Sequence, residues 1–229
     1  MMKTRIVHVF FDLDHTLWDF DKNSALAFKI IFQNLDIDVS LESFLQVYQP
    51  INMHYWKLFR EEEISKEALR RGRLVDTFAQ LNLSYPLSII DALADHYIKA
   101  LPLSNHLISG AEDTLIYLSK KYNLHIITNG FKEVQEQKLK ASGIAHYFKT
   151  VTNSDEVGVK KPNRIIFDTA LRSARAQFDN SIMIGDNYEA DILGAQNIGL
   201  QAICFNYHNQ KIPTNIIQIT DLKEIIKIL

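Results

Sequence analysis

Two hydrophobic periods alternate along this chain. Short, β-branched apolar runs at 6–11, 124–128, 150–152, 181–184, 201–205 and 216–219 have the length and composition of buried strands. Each is followed by a helical pattern. The stretch 110–122 is apolar at Leu115, Ile116 and Leu118, and 163–175 at Ile165, Ile166, Phe167, Ala170 and Leu171, with Pro162 just ahead of it. The pattern 188–197 stops before Gly199, a C-cap position, and 221–228 closes the chain with a further helix. Strands alternating with helices predict an α/β fold, a Rossmann-like parallel sheet joined by right-handed crossovers.

One interval breaks the alternation. After the first strand come about 90 residues without a convincing strand, too many for a structureless loop in a compact domain. They carry helical periodicity instead, at 25–35, 41–59, 66–81 and 87–101, and Pro50 is expected to kink or split the second of these helices. Four amphipathic helices can bury their apolar faces against one another. The chain thus divides into a core of 1–18 plus 103–229 and an inserted helical-bundle cap of 19–102, which is expected to sit over the first strand's carboxyl end.

Composition narrows the class. The net charge of −2 leaves no basic footprint for a nucleic-acid polymer or an anionic membrane. A single cysteine, Cys204, excludes an intrachain disulfide and fits a reducing compartment. The apolar run at the start is short, carries His8 and ends on Asp12, unlike a signal-peptide core. The expectation is a cytoplasmic monomer or small homo-oligomer.

The residues just past the strands point to a small phosphorylated metabolite as the partner. Asp12-Leu13-Asp14-His15-Thr16 places two carboxylates and a hydroxyl at the end of the first strand, where ligands bind in open α/β sheets. One carboxylate can attack phosphorus while the other moves a proton. Thr128-Asn129-Gly130 comes after the second run and can aim a hydroxyl and backbone N–H groups at a phosphoryl oxygen. Lys160 and Lys161 precede Pro162, and Asp186 and Asp191 come after the strand at 181–184. A carboxylate 4 Å from a phosphate charge is repelled by about 4 kcal/mol at an effective dielectric near 20. A lysine and Mg²⁺, which prefers a few hard oxygen ligands, would cancel that repulsion.

These four clusters, in this order, resemble the motifs of the haloacid dehalogenase (HAD) superfamily: Asp-x-Asp-x-Thr, a strand-end Ser/Thr, a Lys, and Gly-Asp with a following Asp. The resemblance implies a phosphatase with Asp12 as nucleophile and Asp14 as general acid/base. It implies phosphate contacts from Thr128, Asn129, Gly130 and Lys161. Mg²⁺ would be held by Asp12, the backbone carbonyl of Asp14 and Asp186, with Asp191 in the outer shell. An acid at residue 14 argues against halide removal and phosphonate cleavage, and the insertion looks like the family's C1 cap. Trp18-Asp19-Phe20, Asn52 to Trp56 and Leu69 to Arg73 are similar to the noncanonical pyrimidine nucleotidases, a branch acting on nucleoside 5'-monophosphates. Residue 15 is His where these enzymes often carry a small or acidic residue, which alters the loop beside the nucleophile. From this branch Trp18, Phe20, Asn52, Trp56 and Arg73 are expected at the substrate, with a cap-core role the competing reading for Tyr55 and Trp56. A sugar-phosphate or phosphoglycolate-type phosphatase and a phosphomutase share every core motif and stay open. A catalytically silent phosphate-binding module is a more distant reading, since it needs no proton shuttle.

Overall fold

The structure, a computed structural model, describes residues 5–229. Six parallel strands form one sheet in the order β3-β2-β1-β4-β5-β6. They are β1 (His8–Phe11), β2 (Asn123–Thr128), β3 (Phe148–Asn153), β4 (Ser181–Gly185), β5 (Gln201–Phe205) and β6 (Ile217–Ile219). Central β1 and β4 are buried at every residue because helices cover both faces, whereas the edge strand β3 alternates over its first four residues. The chain leaves β1 toward β2 and β3 on one side and returns to β4 on the other. Strand order therefore reverses at β1, which opens a crevice at its carboxyl end.

The chain forms two compact units, 21–104 and the remainder. The smaller unit is helical: α1 (Phe20–Asn34), which starts one residue before it, α2 (Leu41–Arg60), α3 (Lys66–Gln80) and α4 (Leu87–Ala100). Its core is aromatic, with Phe28 stacked on Tyr97 at 4.5 Å and edge-on to Phe44 and Tyr48 at 4.8 Å. Pro50 lies inside an unbroken α2 and does not split it. Phe44, Tyr48, Asn52 and Phe59 are buried on both sides of it, and that burial outweighs one missing N–H bond. Helical phase sorts the basic run: Arg70 and Arg71 pair with Asp95 and Asp91 across to α4, while Arg73 turns inward.

In the larger unit the helices that position the site are α5 (Ala111–Ser119), α6 (Lys132–Ala141), α7 (Ser154–Val157) and α8 (Arg164–Ala174). Phe10, Ile127, Phe167, Met183 and Cys204 are buried together in one core cluster. Among the described residues no helix is long and apolar enough to cross a membrane.

Two histidines cross the sheet beneath the site. His8 Nδ1 and His125 Nε2 share a hydrogen bond of 3.1 Å, and His125 Nδ1 shares one of 2.8 Å with Thr150 Oγ1. Burial, then the neighbouring His8 and Lys149, lower His125 to about 4. Between pH 6.5 and 4 the unfolded chain binds a proton that the folded one refuses, so this contribution is whole above pH 6.5 and fades as pH falls. Its size is about 2–3 kcal/mol across the window. The native melting temperature is expected to drop through this range, and more steeply than that of His125→Met when the two are compared at each pH.

Candidate active site

The polar and charged clusters after β1, β2, β3 and β4 converge at the carboxyl end of the sheet. Asp12 follows β1 directly, and its N–H donates to Ile184 O at 2.9 Å, which anchors it to β4. The carboxylate is 8% exposed as a residue and accepts from Lys161 Nζ at 2.6 Å. Lys161 is 2% exposed, and its ammonium also reaches Ile127 O at 2.7 Å and Asp191 Oδ1 at 2.6 Å. It is Lys161, on the residue before a cis Pro162, that points at Asp12.

Asn129 places that lysine. Its Nδ2 donates to Lys161 O at 3.0 Å and its Oδ1 accepts from Lys161 N–H at 2.8 Å. The side chain expected at a phosphate is thus engaged with the main chain of Lys161. Thr128 Oγ1, at the end of β2, accepts from Gly130 N–H at 3.1 Å and from Gln135 Nε2 at 2.7 Å.

Asp191 sits on a π-helical turn, Tyr188–Leu193, an irregularity frequent at functional sites. Its Oδ2 accepts from Asn187 N–H at 3.0 Å. A Cβ at residue 185 would fall 2.3 Å from that same oxygen, so Gly185 is what lets Asp191 approach the strand end. Asp186, one residue on, accepts weakly from Thr16 Oγ1 at 3.4 Å and lies 4.0 Å from His208 Nε2. His15 has a positive φ of 59°, and its ring packs among Phe20, Tyr207 and His208.

The charge balance is uneven. Burial pushes Asp12 up to about 7 in spite of Lys161, with Asp191 and Asp14 adding to the rise. Burial, then Asp12 and Asp191, hold Asp186 well above the ordinary carboxylate range. Burial would lower Lys161, but Asp12 and Asp191 raise it overall, so it stays an ammonium. Asp12, Asp186 and Asp191 each offer an oxygen within 4.8 Å of the others. Three hard oxygen donors with one compensating lysine are a donor set that fits Mg²⁺.

Asp14 lies at the front of the site with 22% of its side chain exposed. It is held by two residues that no charge motif predicts, Lys138 and Gln135 of α6. Nothing in the local sequence marks them, since this helix carries several other polar pairs three positions apart. Trp18 and Phe20, expected at the substrate, are buried, and their rings lie 4.2 and 5.4 Å from the Lys138 ammonium.

Within the helical unit Trp56 is half-buried against Phe59. Arg73 is buried, donates to Asn52 Oδ1 at 2.7 Å, and lies over the rings of Tyr97 and Tyr48 at 5.0 and 5.7 Å. Tyr55 donates to Asp76 at 2.7 Å and covers Gly72, where a Cβ would stand 2.4 Å from its ring.

Comparison with known proteins agrees with this architecture. Pyrimidine 5'-nucleotidase YjjG of Escherichia coli is 34% identical over 209 residues, 91% of this chain and 89% of the relative. A glyceraldehyde 3-phosphate phosphatase of Methanothermobacter thermautotrophicus is 36% identical over 203 residues, 86% of this chain and 84% of the relative. The solved structure of the putative HAD-hydrolase YfnB of Bacillus subtilis, described as bound to magnesium, superposes with a TM-score of 0.88 at 28% identity and covers 99% of each chain. The model of the haloacid dehalogenase-like hydrolases matches residues 9–205, from within β1 to the end of β5. On sequence, fold and strand-end chemistry alike, this chain belongs to the haloacid dehalogenase-like hydrolase family.

Proposed function

We propose that the chain hydrolyses a small phosphate monoester through an aspartyl-phosphate on Asp12, that Mg²⁺ is its cofactor, and that its substrate is a pyrimidine nucleoside 5'-monophosphate. One observation carries the reading: a buried carboxylate 2.6 Å from a buried lysine and grouped with two more carboxylates, with a second acid two residues on. A binding module needs no such second acid. The substrate class is supported by the likeness to YjjG along nine-tenths of the chain.

Asp12 attacks phosphorus, forming a P–O bond to its carboxylate as the ester P–O bond breaks. The electron pair leaves with the ester oxygen, which takes a proton from Asp14. Water then attacks the same phosphorus and returns a proton to Asp14, releasing phosphate and restoring Asp12. Lys161 offsets the repulsion between Asp12 and the phosphoryl oxygens, about 4 kcal/mol per charge pair at 4 Å. Thr128 and the Asn129–Gly130 turn contact the phosphoryl oxygens. Asp12, the backbone carbonyl of Asp14 and Asp186 would hold Mg²⁺, with Asp191 behind them. When bound, the cation supplies positive charge against the carboxylate and phosphoryl oxygens.

The likeness to a glyceraldehyde 3-phosphate phosphatase favours a second substrate class on the same chemistry. Phosphate release from nucleoside monophosphates and sugar phosphates, measured with Mg²⁺ and with EDTA, separates the two. Mg²⁺-dependent release led by pyrimidine monophosphates is expected, with loss of activity in EDTA. Release led by a sugar phosphate keeps the phosphatase and changes the substrate, and a phosphorylated isomer in place of free phosphate identifies a mutase. No turnover of any ester overturns the reading.

A further inference from the structure

Asp14 is gripped from one helix. Lys138 Nζ donates to Asp14 Oδ1 at 2.6 Å, and Gln135 Nε2 donates to Asp14 Oδ2 at 2.9 Å. The two donors are three residues apart on α6 and so share a face. Both are buried, at 2% and 1% exposure, although lysine is among the residues least often buried. A methionine would fill the same space without the cost of desolvating a charge. The local backbone is shaped to the pair as well, since a Cβ at residue 130 would stand 2.3 Å from Gln135 Nε2. Gly130 after Thr128-Asn129 is therefore what admits the glutamine.

The grip fixes orientation. A carboxylate turns freely about its last torsion, with two equivalent positions and broad wells. One donor on each oxygen fixes its plane and leaves each oxygen a further lone pair for the travelling proton. On its other side the Lys138 ammonium lies over the ring of Trp18 at 4.2 Å, so the clamp itself is held between Asp14 and an aromatic face. Gln135 also donates to Thr128 Oγ1, which ties the acid to the hydroxyl expected at the phosphate.

We propose that Gln135 and Lys138 are positioning residues that hold the Asp14 carboxylate for proton transfer to the leaving oxygen. The proposal rests on the phosphatase reading above. It places the loss on removing Lys138 in the protonation of the leaving group, so the loss grows with the basicity of that group. Para-nitrophenyl phosphate and phenyl phosphate present the same ring, but phenoxide is much the more basic leaving group. The quantity to compare is kcat/KM, which reports only the steps through cleavage of the ester.

In Lys138→Met, kcat/KM is expected to fall about 30-fold or more for phenyl phosphate and less than about 5-fold for para-nitrophenyl phosphate, a part of the effect of a general acid. Lys138→Arg is expected to recover most of the loss on phenyl phosphate. Equal losses on both esters mark a structural or substrate-contacting role and overturn the proposal, as does no loss on either. Should Lys138→Met fail to fold, Gln135→Met removes the other point of the clamp at similar volume and is read in the same way. A native protein that cleaves neither ester, under conditions where its melting transition is intact, overturns the phosphatase reading and the proposal with it. Normal native activity with the wrong pattern in the variants overturns the proposal alone.

Discussion

Asp12→Asn is expected to abolish phosphate release, by on the order of 10⁴-fold or more, while the protein stays folded. The amide keeps the shape of the side chain and removes the oxygen proposed to attack phosphorus. Stability is not expected to suffer, because burial already works against the charged form of Asp12 and lifts it to about 7. Lys161 would retain Asp191 at 2.6 Å and Ile127 O at 2.7 Å, so its charge would not be left bare. The check is a phosphate-release assay beside a thermal melt: no turnover with an unchanged or raised melting temperature. Substantial residual turnover would remove Asp12 from the role of nucleophile.

Lys161→Met is expected to do the opposite to stability while also removing activity. The ammonium is the cation that Asp12 and Asp191 share, and losing it leaves buried carboxylates facing one another. Breaking a buried ion pair from one side costs about 3–5 kcal/mol. The lost charge on the transferring group is expected to lower kcat/KM by about 10²–10³-fold, as removal of an electrostatic donor does elsewhere. Lys161→Arg is not expected to restore either property. The Nζ makes three contacts of 2.6 to 2.7 Å inside a site that is 2% exposed, and a guanidinium is too large and too planar to repeat them. Denaturant titration and kinetics on both variants check this, and full activity in Lys161→Arg would show that only the charge matters.

Much of this was legible along the chain because the strands that hold the site are buried on both faces. β1 and β4 read as continuous apolar runs that end abruptly on Asp12 and before Asp186, and an abrupt end of that kind marks where the sheet stops and chemistry begins. The helical insertion was legible from the change of period alone. What escaped was set by contacts distant in sequence. Gln135 and Lys138 sit in a helix of low apolar content, and nothing local distinguishes them from Lys132 or Lys140, which face elsewhere; only the return of α6 onto Asp14, more than a hundred residues away, buries them. Asn129 shows the same limit. Its position after a strand suggests a phosphate, but its amide is matched to the peptide of Lys161, a partner 32 positions on. Pro50 shows packing overriding a local rule, since α2 runs through it with buried side chains on either side.

The central claim is a phosphoryl group carried by Asp12, and it can be trapped. On the proposed mechanism Asp14→Asn keeps the nucleophile and removes the base that activates water, so the second half-reaction should stall. The variant is mixed with para-nitrophenyl phosphate and Mg²⁺, quenched in acid within the first turnover, and digested for peptide mass analysis. The account predicts one added phosphoryl mass on the peptide containing Asp12, absent from Asp12→Asn treated in the same way. Release of para-nitrophenol in step with free phosphate, with no phosphoryl adduct on that peptide at any time, would mean that water attacks the ester directly and would contradict it.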